Sequence, residues 1–318
     1  MLNEFEIIRR YFSPPTDHTI LAGGDDAALV SVTVGMDLAV STDALVSGRH
    51  FFEDADPHGV GHKSMAVNLS DMAAMGARPR WATLSLTIPA ADERWLGAFA
   101  EGFLALGRDY DVDLIGGDTT RGPLAICVQL LGEVEHAKAL RRAGARPGDD
   151  LWVSGDVGDA ALALAHMRGE FELHAGDRDY AMQRLNLPQP RVAVGRGLIG
   201  LASSCIDVSD GLVADVGHLA ESSGVGVVIE WDSVPLSAVG NRYRDDPLVQ
   251  RAALAGGDDY ELAFSAPPNR RDDIGAVAGR TGVALTRIGR VERGSGVTVI
   301  DRTGRPIVLT EAGFDHFR

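Results

Sequence analysis

The chain has 318 residues, room for two domains of ordinary size, and carries 30 basic against 45 acidic side chains, a formal net charge of −15. Its only lysines, Lys63 and Lys138, do not follow glycine, which excludes a GxxxxGK[ST] phosphate loop, and an acidic chain without a Lys/Arg tract offers no footprint for nucleic acid. Cys127 and Cys205 are isolated thiols, against a disulfide framework or a CxxC zinc site, and no apolar run reaches the roughly 18 residues of a membrane span, so a cytoplasmic, non-membrane protein is expected.

The opening MLNEFEIIRRYF reads as an amphipathic helix. ALVSVTVG (27–34), DLAVST (37–42) and WATLSLTI (81–88) are alternating or β-branched and predict strands, whereas 59–75 and 92–108 have helical spacing. LIGGD (114–118) and LAICVQLLG (124–132) predict two further strands separated by the turn TTRGP. Gly, Pro and charge in RRAGARPGDD (141–150) break both periods and place a boundary between domains 1–140 and 148–318, each of mixed α+β composition. After it come a strand LWVSG, a helix DAALALAHM, a Pro-flanked helix (191–202), a strand ending near Asp207, a helix from Asp210, a strand VGVVIEW and a closing α and β mixture.

Of the 45 acids, 31 are Asp, and many stand beside Gly. Four segments share a design in which an apolar element delivers Asp to a Gly-, Ser- or Thr-rich turn: GGDDAAL, VSTDALVSGRHF, LIGGDTTRG and IDVSDGLVAD. A single turn aspartate caps a helix or closes an Asx turn, and Asp210 and Asp43 could each be read so. Together the carboxylates would repel one another unless cations joined them. Asp71 in VNLSDMAAMG carries the local argument furthest. Its helical neighbours at i−4, i+3 and i+4 are Val67, Ala74 and Met75, so the carboxylate lies on an apolar face, where a cation offsets the cost of burial. The competing reading is an exposed Asp on a helix whose core face lies elsewhere. Oxygen donors of this kind suit Mg²⁺, which completes its shell with water and substrate phosphate.

Other signals have ordinary explanations. GRGLIG (195–200) matches GxGxxG without the long preceding strand that a dinucleotide site needs, and small-residue helix packing explains it. His58 and His62 are i, i+4 neighbours without an acidic third ligand and read as a solvated helix face. SGDVGDAA (154–161) could bind an anion at a helix start or serve as a plain cap.

Taken in order, GGDDAAL, STDALVSGRHF, KSMAVNLSDMAAMGARP, LIGGDTTRGP, RRAGARPGDD, IDVSDGL, GGDDYEL and GFDHF resemble the thiamine-monophosphate kinase family of the aminoimidazole-ribonucleotide-synthetase-like superfamily, over nearly the whole chain from residue 23. The resemblance implies an α+β fold of two domains. The N-terminal one would carry metal and nucleotide and pair its sheet with a second copy, and the C-terminal one would close the active site. It implies transfer of the ATP γ-phosphoryl group to thiamine monophosphate by a homodimer with several Mg²⁺ ions. Carried over by position, Asp26, Ser41, Thr42, Asp43, Asp71, Asp118, Asp207 and Asp210 would be metal ligands. Gly117, Asp118, Arg142 and Ser209 would contact nucleotide, and His50, Asp258 and Phe314 would hold the thiamine substrate. No general base is required, because the acceptor is itself a phosphate with a second pKa near ~6.

The chain departs from the family at GGDDYE, where Gly-Gly-Glu-Asp-Tyr-Glu is usual, so Asp258 is a methylene short. Phe314 likewise lacks the polar handle of a Tyr or Trp. Two alternatives rank below. An amide- or selenide-activating ATP-dependent synthetase of the same superfamily lacks support, since residues 1–25 hold no Cys or Lys for selenide chemistry. An Asp-rich structural metal-binding module would call for a DxDxDG loop, and none is present.

Overall fold

A computed structural model describes residues 2–309 and Gly313. Packing divides the chain into two units, the first formed by Met1–Met72 with Ala77–Ala137, the second by Ala73–Gly76 with Lys138–Arg318.

The first unit runs α1 (Glu4–Tyr11), β1 (Met36–Val46), α2 (Pro57–Ala74), β2 (Arg78–Ile88), α3 (Glu93–Asp109), β3 (Asp113–Arg121) and β4 (Ala125–Glu135). Helix α1 starts on a capping box in which Asn3 and Glu6 satisfy each other's backbone N–H. The four strands are ordered β1-β4-β2-β3, with β3 parallel to β2 and the other pairs antiparallel. One sheet face contributes Leu84, Leu86, Ile126, Val128 and Leu130 to the core, joined by Met65, Leu69 and Met72 of α2 and Leu96, Phe99 and Phe103 of α3. Side chains of this size contribute roughly 1.5–3 kcal/mol each when buried, so this face fixes the register of every strand.

Three expectations change here. The alternating run 27–34 forms no strand; only Leu29 bridges back to Leu21, because no neighbouring edge pairs with the rest. Strand β3 does not end at Asp118 but continues through Thr119, Thr120 and Arg121, since the backbone there is paired with Leu86, Thr87 and Ile88 of β2. His58 and His62, expected on a solvated face, are half-buried. Gly102 of α3 sits so close that a Cβ there would lie 2.0 Å from the His58 carbonyl.

The second unit runs β5 (Asp150–Ser154), α4 (Asp159–Met167), α5 (Ala175–Asn186), α6 (Val192–Leu198), β6 (Ser204–Val208), α7 (Leu212–Ser223), β7 (Gly226–Glu230), α8 (Ala238–Arg242), α9 (Pro247–Ala255), β8 (Glu261–Ala266), α10 (Arg271–Thr281), β9 (Leu285–Glu292) and β10 (Gly296–Ile300). Its six-stranded sheet is ordered β10-β7-β9-β5-β8-β6, parallel only at β10–β7. Leu151, Val153, Ile206, Val208, Ala263 and Ile288 of the sheet share one core with Leu212, Val216 and Leu219 of α7. The GRGLIG segment serves helix packing as expected: a Cβ on Gly195 would lie 1.8 Å from the Ala73 carbonyl. Among the described residues, no helix is long and apolar enough to cross a membrane.

Candidate active site

In the first unit β1 alternates, so Ser41, Asp43 and Leu45 share the inward face while Thr42 points to the outer one. The Ser41 hydroxyl donates to Asp71 Oδ2 in a very short contact. Asp71 stands one helical turn from Val67 and Ala74, which are both buried, and is itself half-buried, so the apolar-face reading of this aspartate holds over the exposed one. On the outer face Gln129 Nε2 donates to Thr42 Oγ1 at 3.4 Å. His50 follows β1 in a turn, its Nδ1 accepting from the Val46 N–H at 2.9 Å.

Gly117 and Asp118 lie on β3, the opposite sheet edge from β1. Gly117 has φ 148° and its Cβ would fall 1.8 Å from the Leu84 carbonyl, so no other residue fits there. Asp118 is exposed opposite Ser85. The GGDD turn joins this edge, with Gly23 against Ile115 and Gly116 and Asp26 N–H bonded to Asp25 Oδ1 at 2.9 Å. Start and edge are pinned by Asp113, whose carboxylate accepts from the N–H of Asp17 and His18 and from the Thr19 hydroxyl at 2.6–2.9 Å. Three strand spacings, about 14 Å, separate β1 from β3. Ser41, Asp43 and Asp71 therefore form one group, and Asp26, Gly117 and Asp118 another.

In the second unit the end of β6 gathers a third group. Asp207 is buried on the strand, and Ser209 and Asp210 occupy the turn that follows. The loop before β8 runs alongside, with Asp258 N–H bonded to the Ser209 carbonyl at 2.9 Å and Tyr260 N–H to that of Val208 at 2.8 Å. Asp258 is thereby set beside Ser209. Arg142 is exposed on a segment stitched to the same region: Cys205 N–H reaches the Arg141 carbonyl at 2.8 Å, and the Ser223 hydroxyl donates to that of Arg142 at 3.1 Å. Burial, reinforced by the Asp207 charge, pushes the Cys205 thiol up and keeps it unreactive. Phe314 lies outside the described residues.

Asp210 does not cap α7, as one sequence reading had it. The N-cap is Gly211, and Asp215 in the first turn does the capping, its Oδ2 accepting from the N–H groups of Ser209, Asp210 and Gly211 at 2.9–3.2 Å. Burial nonetheless pushes Asp215 up to about 6, outweighing those donors. Sequence reasoning passed over Asp215, although an acid in the first turn of a helix was a usable signal. It also passed over Glu261, fully buried and held by Arg191 Nε at 2.6 Å, Arg184 at 2.9 Å and the Ser154 hydroxyl at 2.6 Å. In the SGDVGDAA turn the Gly158 N–H is engaged within the protein, bonded to Asp259 Oδ1 at 2.8 Å.

Among the described residues no three His, Cys, Asp or Glu side chains converge tightly enough to hold a metal by themselves. The donors present are nonetheless hard oxygens, and the Ser41–Asp71 pair brings a hydroxyl and a carboxylate together across strand and helix. That chemistry fits Mg²⁺, which needs few protein ligands when phosphate supplies the rest.

Residues 24–134 match the AIR synthase related protein N-terminal domain and residues 146–302 the corresponding C-terminal domain. The chain is thus a two-domain AIR synthase related protein, the α+β class expected from its sequence. It is 42% identical to thiamine-monophosphate kinase of Salmonella typhimurium over 99% of this chain and 98% of that protein. The crystal structure of thiamine-monophosphate kinase from Stenotrophomonas maltophilia K279a, 44% identical, superposes with a TM-score of 0.85 over 93% of each chain. AaThiL complexed with AMPPCP and TMP, 33% identical, gives 0.79 over 90% of this chain and 89% of that one. The chain belongs to the thiamine-monophosphate kinase family.

Proposed function

We infer that the protein transfers the γ-phosphoryl group of ATP to the phosphate of thiamine monophosphate, giving thiamine diphosphate and ADP. The observation that carries this is full-length likeness to thiamine-monophosphate kinases combined with the Ser41–Asp71 pairing at the heart of the aspartate set. Two phosphorylated substrates repel each other and would be repelled again by bare carboxylates, so the aspartates make sense as cation carriers.

Asp26, Ser41, Thr42, Asp43, Asp71, Asp118, Asp207 and Asp210 would hold Mg²⁺. Bound there, the metal would neutralise charge on both substrates and on the leaving group. Gly117, Asp118, Ser209 and Arg142 would position the nucleotide, Gly117 through its exposed backbone, Arg142 because its exposed fork suits phosphate oxygens. His50, Asp258 and Phe314 would orient the thiamine moiety. The acceptor oxygen is already largely ionised at neutral pH, so no side chain need remove a proton. Positioning then supplies much of the rate.

A homodimer belongs to the same proposal. Met36, Leu38, Val40 and Val46 on the outer face of edge strand β1 are between 39% and 54% exposed, an apolar row that a second copy would cover. Asp43 and Asp118, on opposite edges, could then share an ion only across two copies.

Asp71→Asn removes a charge while keeping shape and the acceptor for Ser41. Turnover with saturating ATP, Mg²⁺ and thiamine monophosphate should fall at least about 100-fold, with the thermal midpoint little changed, and EDTA should abolish wild-type turnover. A variant at near wild-type rate would remove Asp71 from the metal set.

A further inference from the structure

Resting on the assignment of Asp258 as a substrate contact, we propose that Tyr260 is its positioning residue, the phenol fixing the carboxylate in the orientation presented to the thiamine moiety. The Tyr260 hydroxyl donates to Asp258 Oδ1 at 3.0 Å. In a regular strand two residues this close in sequence project side by side, and a tyrosine hydroxyl, some 6 Å or more from its own Cα, overshoots a short carboxylate two positions back. The contact exists because the backbone is turned. Asp258 has φ 69° and Tyr260 φ 51°, both in the left-handed region, which costs a non-glycine residue on the order of 1 kcal/mol or more.

Such a conformation persists only where neighbours impose it, and the loop is anchored at every residue from 258 to 261. The backbone N–H groups of Asp258 and Tyr260 bind the carbonyls of Ser209 and Val208. Asp259 is buried and takes the Gly158 N–H, and Glu261 is clamped by Arg184, Arg191 and Ser154. Residues 259 and 261 thus tie the loop to the interior. Tyr260 itself is only 8% exposed, so its ring is held and its hydroxyl has little freedom to turn elsewhere. A donor locked in this way restrains the Asp258 rotamer before substrate arrives, and the entropy of ordering that side chain is not lost on binding. An aspartate, a methylene shorter than glutamate, has less reach with which to correct a wrong orientation, so the restraint matters more here.

The test is a double-mutant cycle in the full-length protein, reading KM for thiamine monophosphate, KM for ATP, kcat and the unfolding midpoint for wild type, Asp258→Asn, Tyr260→Phe and the double variant. Phenylalanine keeps the ring and its packing. Tyr260→Phe should raise KM for thiamine monophosphate about fivefold, the scale of one ordinary hydrogen bond, while KM for ATP and the unfolding midpoint stay near wild type. The double variant should bind thiamine monophosphate no worse than Asp258→Asn alone. An unchanged KM in Tyr260→Phe, a penalty fully additive with Asp258→Asn, or an equal rise in both KM values with a lowered midpoint would overturn the role of Tyr260. If Asp258→Asn alone leaves KM for thiamine monophosphate unchanged, the substrate assignment of Asp258 falls first, and with it this role.

Discussion

Asp159 lies at the start of α4 with its side chain buried; its Oδ1 accepts from the Ser237 hydroxyl at 2.6 Å while Oδ2 has no hydrogen-bond partner. Burial pushes it from the ordinary 3.8 up to about 6. The native state therefore holds a proton that the unfolded chain releases between those two values. Its contribution to stability is full below 3.8 and is lost as the pH rises through about 6. Asp159→Asn mimics the protonated form. Urea unfolding from about pH 4 to about 7 should show a flatter loss of stability in the variant and, at neutral pH, a gain of at most about 3 kcal/mol over wild type. Parallel profiles would show that this carboxyl is not the titrating group. The same comparison of residues explains what could be read in advance. Asp71 was legible because its helical neighbours are apolar and a carboxylate among them calls for a partner. Glu261 opens the apolar strand ELAFSA and invites the same reasoning, but nothing local announces Arg184 and Arg191, which come from 77 and 70 residues away.

Elements with one clear period were legible and those that depend on distant partners were not. DAALALAHM is α4 to the residue, and 92–108 is α3 shifted by one. Helix α5 escaped notice because its buried stripe is Asp177, Ala181 and Leu185, with a carboxylate where an apolar residue would signal a helix. Asp177 is satisfied by Arg242 at 2.6–2.7 Å and by the Tyr243 hydroxyl at 3.0 Å, partners that sequence spacing does not reveal. The run 27–34 is the converse case, a strand-like pattern left without a ladder. Strand β1 shows how an element bears on assembly. One face directs Ser41 and Asp43 inward, and the other displays Met36, Leu38 and Val40. If the proposed dimer forms through β1, Val40→Asp should convert it into monomers by placing unpaired charges in the face a second copy would cover, with little effect on the fold of the single chain. A variant that stays dimeric, or a wild type that sediments as a monomer, would move the subunit interface away from β1.

At the scale of the molecule, the ordered motifs declared the two-domain class and the family, whereas strand order lay beyond reach. Strand β4 inserts between β1 and β2, a placement that no local pattern encodes, and this is what sends Asp43 and Asp118 to opposite edges of one sheet. The scarcity of lysine fits the chemistry proposed for the whole, in which phosphate would be handled by Arg142, by the exposed backbone at Gly117 and by carboxylates suited to Mg²⁺. Direct transfer from ATP to thiamine monophosphate is tested most directly with ATP carrying oxygen-18 throughout its γ-phosphoryl group. Mass analysis should find thiamine diphosphate with the transferred label on its terminal phosphoryl group, together with unlabelled ADP. Label released as inorganic phosphate with thiamine monophosphate unchanged, or thiamine diphosphate formed without label, would contradict it.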